Sequence, residues 1–311
     1  MNKNAYKYVL KILLLFLLIS FITDKITYIV LNKISDRVYS GQSIGKLNHY
    51  LQVKDSIDFI VFGSSRANHN INPNKISKNS YNMGIDGRMI AFSATLIKLL
   101  PKQKKQLILL HIDPHNAFSN KYNGNDLDAL FTKYNRNKTI KNEIDKLNQD
   151  NLFQNFYWSI SYNSKVLGIL KNYVKPKYNF KNYNGYDPIY PTKTQKNIFK
   201  KKLKNVKSLN CKKKFVLNDI YDMYLNELNL FCKNNNKTLI IFTSPILKDD
   251  CKDDNKYFNE IMESKGLVYY DLTDYFKNDN SLTYWKDETH LSNIGAELFT
   301  NSLKKILSSD L

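Results

Sequence analysis

Cysteine, glycine and proline are scarce in this sequence. Its 311 residues include three cysteines, 10 glycines and 7 prolines. Cys211, Cys232 and Cys251 have no metal-ligand spacing and no neighbouring histidines, which excludes a cysteine-based metal site and predicts incidental thiols. The shortage of glycine and proline accompanies an abundance of lysine, asparagine and isoleucine, a bias that codon usage can produce.

Positive charge dominates the composition. Lysine and arginine total 47 against 28 acidic residues, which gives a net charge of +19. Such a surface suits an anionic partner, but codon bias also spreads charge over solvated faces that bind nothing. The densest basic run, residues 193–214, has few aromatics and no nucleic-acid-binding pattern, so we expect no nucleic-acid partner.

An apolar run near the N-terminus predicts a membrane anchor. The run "YVLKILLLFLLISFIT" extends from Tyr8 to Thr23, is interrupted only by Lys11 and is preceded by two lysines. Because no small-residue cleavage pattern follows, an uncleaved anchor over 1–31 is favoured over a signal peptide. The lysines predict a cytoplasmic N-terminus, a single pass through the cell membrane and an extracytoplasmic C-terminal domain.

The remainder alternates between strand and helix patterns after a polar connecting region over 32–54. This order predicts one α/β domain over 55–311, with a parallel sheet and helices on both faces. We predict strands at 56–63, 106–112, 238–245 and 267–272 and helices at 88–100, 216–234, 256–264 and 292–307. The irregular stretch at about 116–214 is too long for a simple loop and predicts a helical insertion.

Two distant segments together suggest a nucleophile and its base. In "DFIVFGSSRANHN", Ser65 follows an apolar strand and a glycine, where strand ends gather in parallel sheets. In "DETHLSNIGAELF", Asp287 and His290 are three residues apart, which places both side chains on one face of a turn. A carboxylate-held imidazole is the general base that a serine hydroxyl needs, and Ser65 is its natural partner.

Simpler interpretations of these residues remain open at this stage. Ser65 could cap the next segment through its hydroxyl, and Asp287 could cap a surface helix beside a solvated His290. Gly87 could be only a turn glycine. Arg66 is expected to anchor its loop through a carboxylate or carbonyl, and His111 to be a satisfied core histidine.

These segments resemble the SGNH (GDSL-type) hydrolase superfamily. The first block of that family, G-D-S, corresponds to Gly63-Ser64-Ser65, and its N-x-G-x-x-G block to residues 82–87. Its Asp-x-x-His block corresponds to Asp287 and His290. The resemblance covers 57–112 and 238–307, and it implies a three-layer α/β/α flavodoxin-like fold with a catalytic Ser-His-Asp triad.

The resemblance also implies an oxyanion hole, with one departure from the family pattern. The backbone N–H groups of Ser65 and Gly87 would be two of its donors. The third family block, G-x-N-D, is replaced by "HIDPHNAF", where His115 falls at the asparagine position with Asn116 beside it, so His115 is the expected third donor. Loss of such a donor costs about 10²- to 10³-fold in rate.

The family branch sets the functional expectation. The Gly-Ser-Ser form, the anchor and the altered third block resemble a membrane-anchored branch that includes the D-alanyl transfer protein of lipoteichoic acid synthesis and polysaccharide O-acetyltransferase-like proteins. This implies a serine esterase or O-acyltransferase without metal or organic cofactor, acting on a cell-envelope polysaccharide or teichoic-acid-like polymer. A membrane-bound O-acyltransferase is an implied partner. The alternative is a catalytically inactive relative that binds polysaccharide or scaffolds export.

Overall fold

The chain divides into two compact units. The computed structural model describes residues 3–150, 152–204, 211, 215–279 and 281–309. Met1–Asn48 and Leu127–Tyr178 form one unit, here called the helical unit, and His49–Asp126 and Asn179–Leu311 form the other, called the sheet unit. The predicted insertion at 116–214 is therefore divided between the units. The described residues do not include 1–2, 151, 205–210 and 212–214. These positions belong to the segments predicted as the anchor, the insertion and the basic run.

A parallel sheet organises the sheet unit. The strands are β1 (Phe59–Phe62), β2 (Ser80–Asn82), β3 (Gln106–His111), β4 (Lys237–Thr243) and β5 (Val268–Asp271). Their order is β2-β1-β3-β4-β5, and all neighbouring pairs are parallel. This confirms the predicted α/β class. In such doubly wound sheets, ligands bind beyond the carboxyl ends of the strands, here where β1 and β3 end side by side.

Helices cover both faces of this sheet. The unit contains the end of α2 (Lys46–Val53) and α3 (Ser65–Asn70), α4 (Ile90–Ile97), α5 (Pro114–Ala117), α9 (Lys193–Leu203), α10 (Asp219–Asn234), α11 (Lys252–Ser264) and α12 (Asn293–Ile306). Three-residue 3₁₀ turns lie at Pro73–Lys75, Leu282–Tyr284 and Leu307–Ser309.

Alternate strand residues explain the two covered faces, because side chains alternate along a strand. Phe59 and Val61 of β1 pack in one cluster with Phe299 of α12. Phe62 faces the other way and contacts Tyr50 of α2, whose hydroxyl donates to the carbonyl of Leu96 in α4. This arrangement is consistent with three layers.

Most predicted elements are found within a few residues of their expected bounds, and one strand was missed. The helix predicted at 216–234 begins at Asp219, and the strand predicted at 238–245 is β4. The missed strand, β2, has only three residues and a single apolar side chain, Tyr81. Because it is an edge strand within a polar stretch, hydrophobic periodicity does not reveal it.

The helical unit is built around α1 (Lys3–Ser35). It also contains a π-helical turn at Gly41–Gly45, the start of α2, α6 (Lys138–Lys146), α7 (Leu152–Phe156), α8 (Val166–Val174) and 3₁₀ segments at Asn125–Arg136 and Trp158–Tyr162. Its small core joins Tyr28 of α1 with Tyr162 and Ile169. Nowhere in the described residues is a helix long and apolar enough to cross a membrane, and the anchor stays a prediction.

The cysteines correct one expectation. Cys211 and Cys251, predicted as incidental thiols, are joined by a disulfide across 40 residues, whereas Cys232 is a buried free thiol. Both paired cysteines belong to the sheet unit. Their separation in sequence gave no sign of this pairing, because only the fold brings their backbones together.

Candidate active site

A glycine at the end of β1 allows the chain to turn sharply into α3. Gly63 has a φ of +137°, and a Cβ there would lie 2.7 Å from the Cβ of His111. No other residue fits this position without a clash. Ser65 is consequently the first residue of α3, at the carboxyl end of the sheet. The neighbouring Ser64 occupies the N-cap position.

Ser65, His290 and Asp287 form a hydrogen-bonded chain. The Ser65 Oγ lies 2.8 Å from His290 Nε2, and His290 Nδ1 lies 2.8 Å from Asp287 Oδ1. Because a carboxylate only accepts hydrogen bonds, Nδ1 carries the proton and Nε2 presents its lone pair to the serine hydroxyl. The fold thus joins residues 225 positions apart in the geometry of a nucleophile and its base.

Several donors converge on Asp287. Its Oδ1 also accepts from the backbone N–H groups of Thr289 and His290, and the Lys286 Nζ lies 2.8 Å from Oδ2. Burial alone would raise the pKa of Asp287, but the hydrogen bonds from His290 and Lys286 outweigh it and hold the pKa well below its usual range. Asp287 organises its turn and holds the imidazole, but it does not cap a helix beside a solvated His290, because the N-cap of α12 is Ser292 and His290 contacts Ser65.

Asn70 holds the histidine loop against α3. Its Oδ1 accepts from the backbone N–H of Leu291, and its Nδ2 donates to the Oγ of Ser244 after β4. The residue is fully buried. This role is not visible in the sequence, because an asparagine five positions after Ser65 belongs to no motif.

Ser65 opens onto a cleft of about 230 Å³ at the carboxyl end of the sheet. Apolar and polar groups share its lining: Ser64, Ser65, Arg66, Gly87, Arg88, Met89, Ile90, His111, Ile112, Asp113, Asn116, Tyr221 and Thr289. Gly87 has a φ of +72° and open space around its Cβ position, so the backbone conformation and not crowding favours glycine.

The other residues of the N-x-G-x-x-G block are structural. The Asn82 Nδ2 donates to the carbonyls of Ala67 and Ile71, and its Oδ1 accepts from the N–H of Gly84. A Cβ at Gly84 would lie 2.6 Å from the backbone nitrogen of Asn68. Asn82 therefore ties α3 to the loop that presents Gly87 to the cleft.

The third block favours Asn116 over His115. His115 is exposed at the start of α5 and is not among the cleft-lining residues, whereas Asn116 is half-buried and lines the cleft. Asp113 caps α5 by accepting from the backbone N–H of His115. The expectation that His115 supplies an oxyanion donor is therefore not supported by its position.

Arg66 anchors the loop, as predicted. Its guanidinium donates to Asp113 Oδ2 at 3.2 Å and to the carbonyl of Ser244. It thereby links the segments that follow β1, β3 and β4. With only 4% of its surface exposed, Arg66 is oriented by these contacts more than by solvent.

Two further histidines lie near the triad. His111 is buried, and burial lowers its pKa well below the usual value. Its Nδ1 is 3.4 Å from Ser64 Oγ, but its Nε2 has no hydrogen-bond partner within the described residues, so the expectation of a satisfied core histidine is only half right. His69, one helical turn after Ser65, contacts Asp86, and its ring centre lies 6.0 Å from that of His290.

The arrangement can activate a hydroxyl nucleophile. In the parts of the chain that the structure describes, no cluster of three histidine, cysteine or acidic residues suits a metal ion. No protein-family model matches the chain, and no curated protein matches it. Residues and geometry alone therefore define the site as a Ser-His-Asp arrangement at the mouth of a parallel α/β sheet.

Proposed function

We propose that this protein is a membrane-anchored, extracytoplasmic serine esterase or O-acyltransferase of the SGNH type. One observation carries the proposal, namely the 2.8 Å contacts that join Ser65 Oγ to His290 and His290 to Asp287. The strand order and the Gly63, Asn82 and Asp287 blocks support an SGNH-type, flavodoxin-like version of the α/β fold.

The chemistry begins at the serine. Ser65 Oγ bonds to an acyl carbonyl carbon while its proton passes to His290 Nε2, and Asp287 stabilises the imidazolium. Collapse of the tetrahedral intermediate breaks the bond to the leaving alcohol, which takes the proton from Nε2. Water or an acceptor hydroxyl then attacks the acyl-enzyme, again through His290, and Ser65 regains its proton.

The negative oxygen of the intermediate needs donors on the other side of the carbonyl. We assign this role to the backbone N–H groups of Ser65 and Gly87, joined by the side-chain amide of Asn116. Gly87 and Asn116 line the same cleft as Ser65. Donors held in place before the reaction stabilise developing charge without reorganisation.

Three features support the location and the acceptor. The Cys211–Cys251 disulfide is typical of proteins outside the reducing cytoplasm. The apolar run in α1 suits a membrane anchor. The net charge of +19 suits an anionic acceptor such as a teichoic-acid-like polymer or an acidic cell-envelope polysaccharide.

The direct test is covalent labelling with a fluorophosphonate probe, which bonds to activated serines. We expect the intact mass of the wild type to rise by one adduct, and we expect Ser65→Ala and His290→Ala to remain unlabelled. Ser64→Ala is the matched control, because it removes the neighbouring hydroxyl and should keep the adduct. Peptide mapping should place the adduct on Ser65.

The opposite result has a clear meaning. A well-folded wild type that takes no adduct, while a known serine esterase is labelled in parallel, would contradict the enzymatic proposal. The altered third block around Asp113 and Asn116 would then favour a polysaccharide-binding or export-scaffold protein. Retention of a polysaccharide on the immobilised protein would test that alternative.

A further inference from the structure

The helical unit exposes an unusual amount of apolar surface. In α1, the eight consecutive residues Ile12–Ile19 are all exposed and large. Eight successive residues of a helix point in all directions around its axis, since each is rotated by about 100° from the last. A groove on one partner protein covers a single face, whereas lipid surrounds a helix completely.

A second apolar surface lies on the short helix α7. Leu152 is 85% exposed, Phe153 is 69% exposed and Phe156 is 49% exposed. Their spacing places the three side chains on one side of the helix. The polar Gln154 between them points inward and is buried. A folded helix that buries glutamine and exposes leucine and phenylalanine has the pattern of a surface that meets a non-aqueous phase.

The two apolar surfaces are continuous. The ring centres of Phe21 in α1 and Phe156 in α7 are 5.1 Å apart, and Ser20 Oγ lies 3.1 Å from the hydroxyl of Tyr157. The Lys25 Nζ donates to the carbonyl of Phe156. α7 is therefore fixed beside α1 at the point where the apolar run ends.

Polar and aromatic groups lie at the end of the apolar run in α1. The Asp24 carboxylate accepts from the backbone N–H groups of Trp158 and Ser159. The Lys25 ammonium lies over the Trp158 ring, 4.1 Å from its centre. Tryptophan, tyrosine and lysine at one level along a helix are typical of the boundary between lipid and water.

We propose that α7, which we call the interfacial helix, inserts Leu152, Phe153 and Phe156 into the surface of a lipid bilayer beside α1. This would give the helical unit a second lipid contact besides α1. A protein held by a single helix can rotate about the axis of that helix. A second lipid contact beside α1 would restrict this rotation of the helical unit. The inference rests on the membrane location in the proposed function and is independent of its acyl-transfer chemistry.

An environment-sensitive fluorophore at position 153 tests this contact. The full-length Phe153→Cys variant offers one accessible thiol, because Cys211 and Cys251 are paired and Cys232 is buried. After labelling with a nitrobenzoxadiazole reagent and reconstitution into phosphatidylglycerol–phosphatidylethanolamine vesicles, we expect blue-shifted emission and quenching by brominated lipids. Leu230→Cys is the control, because Leu230 is an exposed leucine of α10 in the sheet unit. Its probe should keep the emission seen in water.

The outcomes separate the two proposals. If the protein does not float with the vesicles, both the membrane location and the interfacial helix are wrong, while the serine chemistry is unaffected. If it floats but the probe at 153 keeps its aqueous emission, only the interfacial helix is wrong. Equal shifts at 153 and 230 would also overturn it. A Leu152→Asn variant in the labelled background should reduce the shift.

Discussion

The two units use buried and half-buried carboxylates in different ways. In the sheet unit, Asp287 bonds to a histidine that contacts the hydroxyl of Ser65, and Ser65 lines a cleft. In the helical unit, Asp24 accepts from the backbone N–H groups that begin the 3₁₀ segment at Trp158. Both carboxylates are well satisfied. The group that a carboxylate binds therefore distinguishes a candidate chemical role from a structural one. Asp287 binds an imidazole that contacts a serine hydroxyl, whereas Asp24 binds backbone N–H groups.

The largest effect should follow from breaking the triad. We expect Ser65→Ala or His290→Ala to lower hydrolysis of p-nitrophenyl acetate by about 10⁴-fold or more, because nucleophile and base act as a unit. Ser65 is half-buried at a cleft, so its loss should leave the thermal midpoint almost unchanged. Retention of activity in both variants, at wild-type protein concentration, would remove the triad from the mechanism.

The next largest effect should distinguish the two residues of the third block. We expect Asn116→Ala to lower kcat by about 10²- to 10³-fold through loss of one oxyanion donor. His115→Ala is the matched variant one residue earlier and should change kcat by less than about 3-fold, because an exposed side chain away from the cleft stabilises no oxyanion. If His115→Ala lowered kcat more than Asn116→Ala did, His115 would be the oxyanion donor, as predicted from the sequence.

The helical unit should respond in stability and not in chemistry. Asp24→Ala leaves the half-buried backbone N–H groups of Trp158 and Ser159 without their charged acceptor, at an expected cost of about 1–3 kcal/mol. Hydrogen exchange over 152–162 should measure this cost. Asp274→Ala is the control, because the ion pairs of Asp274 with Lys252 and Lys277 are exposed and their loss costs less than about 1 kcal/mol. Fluorophosphonate labelling of Ser65 should be unaffected in both variants, and its loss would contradict the separation of roles.

The smallest effect concerns acid stability. The folded-state pKa of Asp287 lies below the ordinary value of 3.8, so the unfolded chain takes up this proton first as the pH falls. Stability from this group is thus present above about pH 4 and is lost as the pH falls toward the folded-state pKa. Urea unfolding at pH 6 and pH 3 should show a larger loss in the wild type than in Asp287→Asn. Equal losses would show that Asp287 is not stabilised as a carboxylate.

Sequence patterns predicted the α/β class and most of its elements for a simple reason. Strands buried on both faces leave runs of apolar residues, such as those of β3 and β4, that are visible without a structure. The spacing of Asp287 and His290 likewise predicted that the two side chains meet, because three residues span one turn. The short edge strand β2 left no such run.

Other features depend on contacts between distant segments. Nothing local distinguishes Asn70, whose importance comes from Leu291 and Ser244. The pairing of Cys211 with Cys251 also depends on such contacts. So does the position of Asn116, and not His115, at the cleft. Each depends on where a backbone atom or a neighbouring strand lies, and residue types alone do not carry that information.

The sequence by itself determined the parallel α/β domain, the apolar character of the N-terminal run and the identity of a serine, a histidine and an aspartate able to act together. Only the tertiary structure decided that Ser65 Oγ and His290 Nε2 lie 2.8 Å apart and that α7 turns its apolar side outward beside Phe21. The physical reason is the distance along the chain over which each effect acts. Periodicity and turn spacing act over a few residues, whereas hydrogen-bond geometry across 225 residues exists only after the sheet has formed.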